Sequence, residues 1–182
     1  MPTTAPEYVV FEGPGMDAFA ESPEWGGSLV IFPFMYYETY GDDSLIRKYY
    51  SNMRRYVDYL KTRANNGILS FGLGDWYDYG DFRAGFSRNT PVPLVATAHY
   101  YMTVMYLVKA AGMVGNEFDV RYYSSLAHDI MVAFNKCFLD NNTAQYGTGS
   151  KCSNALPLFL HLTQSAGEQG VCQPDTNLNK KV

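Results

Sequence analysis

The run Leu45-Ile46-Arg47-Lys48-Tyr49-Tyr50-Ser51-Asn52-Met53 returns 73 residues later as Phe118-Asp119-Val120-Arg121-Tyr122-Tyr123-Ser124-Ser125-Leu126, and the correspondence continues with Val57 and Ile130. Each run opens an amphipathic segment. The first extends from Asp43 to Ala64, with Leu45, Tyr49, Met53, Val57 and Leu60 at helical spacing among arginines and lysines; the second extends from Glu117 to Phe138. Before each lies a segment of helix length that is apolar on nearly every side. The earlier one begins with Ser22-Pro23-Glu24, which supplies an N-cap, a proline for the first turn and an acid for the helix dipole. It carries Leu29, Val30, Ile31, Phe32, Phe34 and Met35, and stops at Gly41. The later one begins at Thr90-Pro91, runs to about Ala111 and is followed by Gly112 and Gly115.

An apolar inner helix, a glycine-containing turn and an amphipathic outer helix therefore occur twice, which reads as a helical-hairpin repeat. Such a unit cannot cover its own apolar faces, so it stacks into a solenoid or closes into a ring. A third inner helix starts near Ser150 and carries Ala155-Leu156-Pro157-Leu158-Phe159-Leu160, with no outer partner after it. Two and a half hairpins do not close a ring, and the chain reads as a segment of a larger all-α fold. The opening through Ser22 reads as irregular, with a short extended run at Tyr8-Val9-Val10-Phe11, and Ile68-Leu69-Ser70-Phe71 reads as a short strand.

At 182 residues and 47% hydrophobic content the chain is long enough for one domain with a sizeable core. A net charge of −4 with no block of Lys or Arg argues against nucleic acid or an anionic membrane as partner. No apolar run approaches the roughly 20 residues of a membrane span, and Met1-Pro2-Thr3-Thr4-Ala5-Pro6-Glu7 lacks the pattern of a signal peptide. Cys137, Cys152 and Cys172 are sparse and show no CxxC spacing. Neither a metal site nor a disulfide framework is expected from them, and Cys137 reads as a small buried hydrophobe.

Between the two hairpins lies Gly72-Leu73-Gly74-Asp75-Trp76-Tyr77-Asp78-Tyr79-Gly80. Aromatic rings offer flat apolar faces to the C–H face of a pyranose, and carboxylates accept hydrogen bonds from its hydroxyls. One reading of the loop is accordingly a sugar pocket; the other is a turn whose Trp and Tyr plug the end of a helical core. Glu24, Asp75, Asp78 and Asp81 are the carboxylates available for acid–base work, which needs a pair roughly 5 to 9.5 Å apart. Acids near Arg83 and Arg88 read equally well as solvated or ion-paired. His99 reads as a core or a pocket residue, and His128 as solvent-facing. No nucleophilic triad, phosphate loop or dinucleotide fingerprint is present, and no cofactor is expected.

Ser22-Pro23-Glu24-Trp25-Gly26, Tyr40-Gly41-Asp42, Gly72-Leu73-Gly74-Asp75-Trp76, Thr90-Pro91 with Thr97-Ala98 and Tyr100-Tyr101, and Asn154-Ala155-Leu156-Pro157-Leu158, in this order and spacing, resemble the six-hairpin catalytic domain of bacterial α-L-rhamnosidases, glycoside hydrolase family 78. The resemblance implies an incomplete (α/α)6 barrel over residues 1–162, with 163–182 as an atypical polar tail outside the fold. It implies a pocket for a terminal rhamnose, hence a rhamnose-containing carbohydrate or glycoside as partner. Trp25 and Trp76 are its expected apolar walls and Asp75 its hydroxyl acceptor. The family hydrolyses with inversion, using an acid from an Arg-Asp-Glu stretch and a basic glutamate from a later hairpin. Neither has a counterpart here, so no catalytic residue is expected in this chain. Lys151-Cys152-Ser153 stands where the family commonly has Gln-Thr-Ala. Uncovered helix faces, such as Leu29, Phe32 and Met105, are expected to promote self-association. The rival expectation is a non-enzymatic helical-repeat module binding a protein partner or a sugar.

Overall fold

Both hairpins form in a computed structural model that describes Phe19 and residues 21–163. The expectations for the opening run at Tyr8–Phe11, for Cys172 and for the tail beyond Thr163 fall outside these residues. The first inner helix is divided rather than continuous from Pro23 to Tyr40. A single turn, α1 (Pro23–Gly26), is followed by α2 (Ser28–Tyr40), and Gly27 stands at the joint. A Cβ on Gly27 would sit 2.9 Å from Thr103 Oγ1, so the missing side chain is what lets the next inner helix come close. The outer helix α3 (Ser44–Arg63) follows, and two short strands, β1 (Asp78–Gly80) and β2 (Phe82–Gly85), interrupt the connection to the second hairpin. That hairpin is α4 (Val92–Val114) and α5 (Glu117–Phe138). A second strand pair, β3 (Leu139–Asp140) and β4 (Gln145–Tyr146), leads into the third inner helix, α6 (Lys151–Phe159). The strand expected at Ile68–Phe71 does not form: Ile68 makes one bridge to Asn65 and the chain continues without a partner strand.

Helix α4 is the centre of the molecule and packs against α5, α3, α2, α1 and α6. Thirteen of its 23 residues are buried, among them Leu94, Tyr100, Val104 and Leu107. An apolar helix has no polar face to give to water, so its neighbours must surround it. The outer helices meet it with narrower stripes. On α3 these are Ile46, Met53, Tyr56, Val57 and Leu60, so the expected stripe holds only in its C-terminal half. Tyr49 is exposed and Leu45 half-buried on the flank, while Ile46 takes the core position. Phe32 and Met35 on α2 face outward, 63% and 52% exposed, whereas Leu29 and Met105 are half-buried. A groove of about 750 Å³ runs along this flank between α2 and α3, with Trp25 at its lining. Cys137 is exposed on α5 rather than buried, because Phe134 and Asn135 occupy the inward positions of that turn. His128 faces solvent as expected.

The repeat is locked by two bonds that answer each other. Tyr50 on α3 donates to Asp119 on α5 at 2.6 Å, and Tyr123 on α5 donates to Asp58 on α3 at 2.8 Å. Tyr50 and Tyr123 are the residues the sequence repeat superimposes. Asp119 is almost fully buried; it also accepts from Asn116 Nδ2 at 2.7 Å, and Arg54 Nε lies 3.1 Å away as an ion pair off the hydrogen-bonding line. At the far end of α5, Asn135 accepts from the Tyr146 hydroxyl at 2.6 Å and donates to the Leu162 carbonyl at 2.7 Å, tying β4 and the end of α6 to the outer helix.

Removing the Asp119 carboxylate leaves half-buried donors from Tyr50 and Asn116 unmet. Asp119→Ala is therefore expected to cost about 3 kcal/mol and Tyr50→Phe about 1 kcal/mol, with the helical circular dichroism spectrum retained at low denaturant, as measured by urea unfolding. Equal costs for the two variants would show that the carboxylate has no role beyond Tyr50.

Candidate functional site

The turns within hairpins are short: residues 41–43 join α2 to α3, and residues 115–116 join α4 to α5. The connections between hairpins are long, residues 64–91 and 139–150, and they gather at the opposite end, where α1 and the N-termini of α4 and α6 meet. The glycine loop belongs to this end. Glu24 on α1 fixes it: Oε1 accepts the Gly74 N–H at 2.9 Å, and Oε2 accepts the Leu73 N–H at 3.3 Å together with the Ser22 hydroxyl. The acid that reads as a dipole partner for the first helix thus serves as a clamp, and the Ser22 hydroxyl donates to it instead of capping the helix. Gly72 has φ +130°, and a Cβ there would lie 2.5 Å from Glu24 Oε2, so both the backbone and the clamp require glycine.

With the loop clamped, the aromatic rings converge. Phe19 lies 5.5 Å from Trp25 and 4.8 Å from Trp76, the latter edge to face, and Trp76 meets Phe86 edge to face at 5.3 Å. Trp25 and Trp76 are therefore brought into one cluster through Phe19. Phe19 is buried, while each tryptophan keeps 36% of its surface open. Tyr77 and Tyr79 project further, at 69% and 78% exposed. Asp75 and Trp76 do not line the α2–α3 groove; of the three expected site residues only Trp25 does.

The carboxylates differ in what occupies them. Asp78 is buried and accepts four bonds: from the N–H groups of Tyr79 (2.9 Å), Arg88 (2.7 Å) and Asn89 (2.6 Å), and from Asn89 Nδ2 (2.5 Å). The two backbone N–H groups of Arg88 and Asn89 are the main reason its carboxyl is held below the ordinary 3.8. It closes the β1–β2 hairpin and leaves no lone pair for a substrate. Arg88 reaches it through its backbone, while the guanidinium lies over the Phe82 ring at 4.7 Å, so of the solvated and ion-paired readings neither describes how Arg88 meets Asp78. Asp81 is exposed. Asp75 is half-buried at the mouth of α6 and accepts the Thr90 hydroxyl at 3.3 Å. Thr90, which reads as a helix cap, makes no cap bond to α4. Its Oγ1 instead lies 2.7 Å from Ser150 Oγ, the side chain that does cap α6 through the Ser153 N–H.

Cys152 stands beside the same carboxylate. Burial foremost, and then the Asp75 charge, push its thiol up to about 11. His99 is half-buried, with Nδ1 3.0 Å from the Val95 carbonyl of its own helix. The sequence names the loop, Trp25 and Trp76 but passes over Phe19 and Phe86, and it gives Cys152 no place beside Asp75. Their signals are a single Phe ahead of the cap, a single Phe beyond the hairpin and a thiol in a helix first turn. Among the described residues, no helix is long and apolar enough to cross a membrane.

Stacked pairs of inner and outer helices, with an aromatic and acidic loop where the long connections gather, define a segment of a helical-hairpin glycosidase domain. The chain belongs to the family described as the bacterial α-L-rhamnosidase six-hairpin glycosidase domain, which matches residues 1–181. An α-L-rhamnosidase of Formosa agariphila is 28% identical over 121 residues, 64% of this chain and 12% of that protein. Another from Alteromonas is 26% identical over 125 residues, 66% of this chain and 14% of its own length. Among solved structures, the α-L-rhamnosidase of Dictyoglumus thermophilum superimposes with a TM-score of 0.72 at 32% identity, covering 79% of this chain and 16% of that one. The Streptomyces avermitilis α-L-rhamnosidase, solved with L-rhamnose, gives 0.71 at 20% identity, covering 81% and 14%. An incomplete six-hairpin barrel is thus the fold, and the chain spans about an eighth to a sixth of the length of these relatives.

The geometry around Cys152 can be checked chemically. Maleimide is expected to label exposed Cys137 faster than Cys152 at neutral pH, and Asp75→Asn to speed labelling of Cys152, as followed by peptide mass spectrometry. Labelling of Cys152 at the Cys137 rate would contradict the placement of the thiol.

Proposed function

We propose that this chain supplies part of the sugar pocket of a glycoside hydrolase that cleaves terminal α-L-rhamnosyl linkages with inversion. The observation that carries this reading is the clamp of Glu24 on the Gly72–Gly74 backbone, which sets Trp25 and Trp76 around Phe19 with a half-buried Asp75 adjoining. In this role the open faces of Trp25 and Trp76 stack on the C–H face of the sugar, and Asp75 accepts a hydroxyl. Family membership and the rhamnosidase relatives support the choice of sugar. The proton-transfer pair belongs to other parts of the parent enzyme. The engagement of Glu24 and Asp78 with backbone N–H groups supports this, since neither is available to protonate a leaving oxygen or activate water.

Titration with L-rhamnose, followed by tryptophan fluorescence, tests the reading directly, because Trp25 and Trp76 are the chain's two tryptophans. A saturable change is expected with L-rhamnose, absent with D-glucose and lost in Asp75→Ala. No change in a folded sample, or an equal response to both sugars, would overturn it.

The same chain on its own associates through the open flank of α2. Phe32 and Met35 lie bare there, and about 25 cal/mol is gained for each Å² of such surface removed from water. Sedimentation velocity is expected to show species larger than the 20.5 kDa monomer, shifting towards it in the double variant Phe32→Glu, Met35→Glu. A wild-type chain that stays monomeric at tens of micromolar would refute this.

A further inference from the structure

We infer that Thr90 and the first turn of α6 position the Asp75 carboxylate for its ligand, an inference that rests on the pocket reading above. Asp75 lies in the 64–91 connection, ahead of β1. The groups that fix its side chain come from the far end of that connection and from the head of α6. Thr90 is 1% exposed, so its hydroxyl is shut off from water and must find partners within the protein. It has two: Asp75 Oδ2 at 3.3 Å and Ser150 Oγ at 2.7 Å. A carboxylate only accepts, so the proton facing Asp75 is the one on Thr90. The 2.7 Å contact then draws on the proton of Ser150, for which Ser153 Oγ at 2.9 Å is the competing acceptor. Ser150 Oγ in turn accepts the Ser153 N–H at 3.1 Å, one of the free amide groups at the start of α6.

When Ser150 turns its proton to Thr90, the hydrogen bonds run in one direction from the positive end of a helix, through two hydroxyls, to the carboxylate. Each donor in such a run is polarised by the one behind it, which strengthens the last bond. The Cys152 thiol, on the same turn of α6, approaches the carboxylate as well. Thr90 engages part of the carboxylate's accepting capacity and leaves the rest for a sugar hydroxyl. The connection is long in sequence: Thr90 and Ser150 are separated by 60 residues, and they are joined only when the second hairpin is folded.

Thr90→Val keeps the volume and removes the donor; Thr90→Ser restores it. With the L-rhamnose titration as readout, Thr90→Val is expected to weaken binding about tenfold and Thr90→Ser to stay within about twofold of the wild type. Ser150→Gly removes the second hydroxyl while keeping a residue tolerated at a helix N-cap, and is expected to weaken binding about threefold. A role confined to packing would leave valine equal to serine. Wild-type binding with Thr90→Val equally tight overturns the inference and leaves the pocket reading standing. A folded wild-type chain that ignores L-rhamnose overturns both. Should Thr90→Val fail to fold, Ser150→Gly decides, and unchanged affinity there overturns the inference.

Discussion

Everything in this structure is arranged around the fact that α4 has no side it can show to water. A helix of 23 residues, apolar all round, has to be enclosed, and enclosure by helices on every side dictates a layer of inner helices backed by a layer of outer ones. Hydrophobic burial alone would not fix the register of that arrangement, because it is indifferent to small slides of one helix along another. The register comes from directional bonds. Tyr50 to Asp119 and Tyr123 to Asp58 hold the two outer helices at one relative height, and Gly27 opposite Thr103 sets how closely the inner helices approach.

The site inherits its geometry from this scaffold. Glu24 on α1 and Thr90 immediately before α4 bond the loop directly, and Ser150 at the head of α6 meets it only through Thr90. Trp76 and Asp75 are carried by a segment with few regular hydrogen bonds of its own, held by Glu24 and Thr90, while Trp25 rides on α1 beside Glu24. A site of this kind is only as well ordered as the helices behind it.

The hairpin order, the outer helix at Glu117–Phe138 and the start of a third inner helix near Ser150 were legible because each rests on local rules: apolar periodicity and glycine stops act within a few residues. The family was legible from the order of several motifs, and its fold is borne out. What escaped the sequence is what depends on distant partners. Ser22-Pro23-Glu24 reads as a helix start and is one, yet the acid points across to a loop 50 residues away. Thr90-Pro91 carries the same signal, yet the hydroxyl serves Asp75. The break at Gly27 is invisible without Thr103 opposite, and the exposure of Cys137 follows from Asn135 being drawn inward to Tyr146 and Leu162. Polar residues at such places satisfy short-range and long-range patterns at once, and a sequence shows only the first.

The unequal lengths of the connections have a consequence for how such a chain can change. At one end, two or three residues join helices that are already in contact, and an inserted residue there would have to be absorbed by the packed core or by the tyrosine–aspartate bonds. At the other end, the segments 64–91 and 139–150 form their own small strand pairs, and their closure entropy grows only slowly with added length. Added length is therefore tolerated best at a single rim, the one that carries Trp76 and Asp75. Loop exchange there can change what the rim presents while the helical layers remain untouched, so the two ends of the same hairpins differ in how freely they can change.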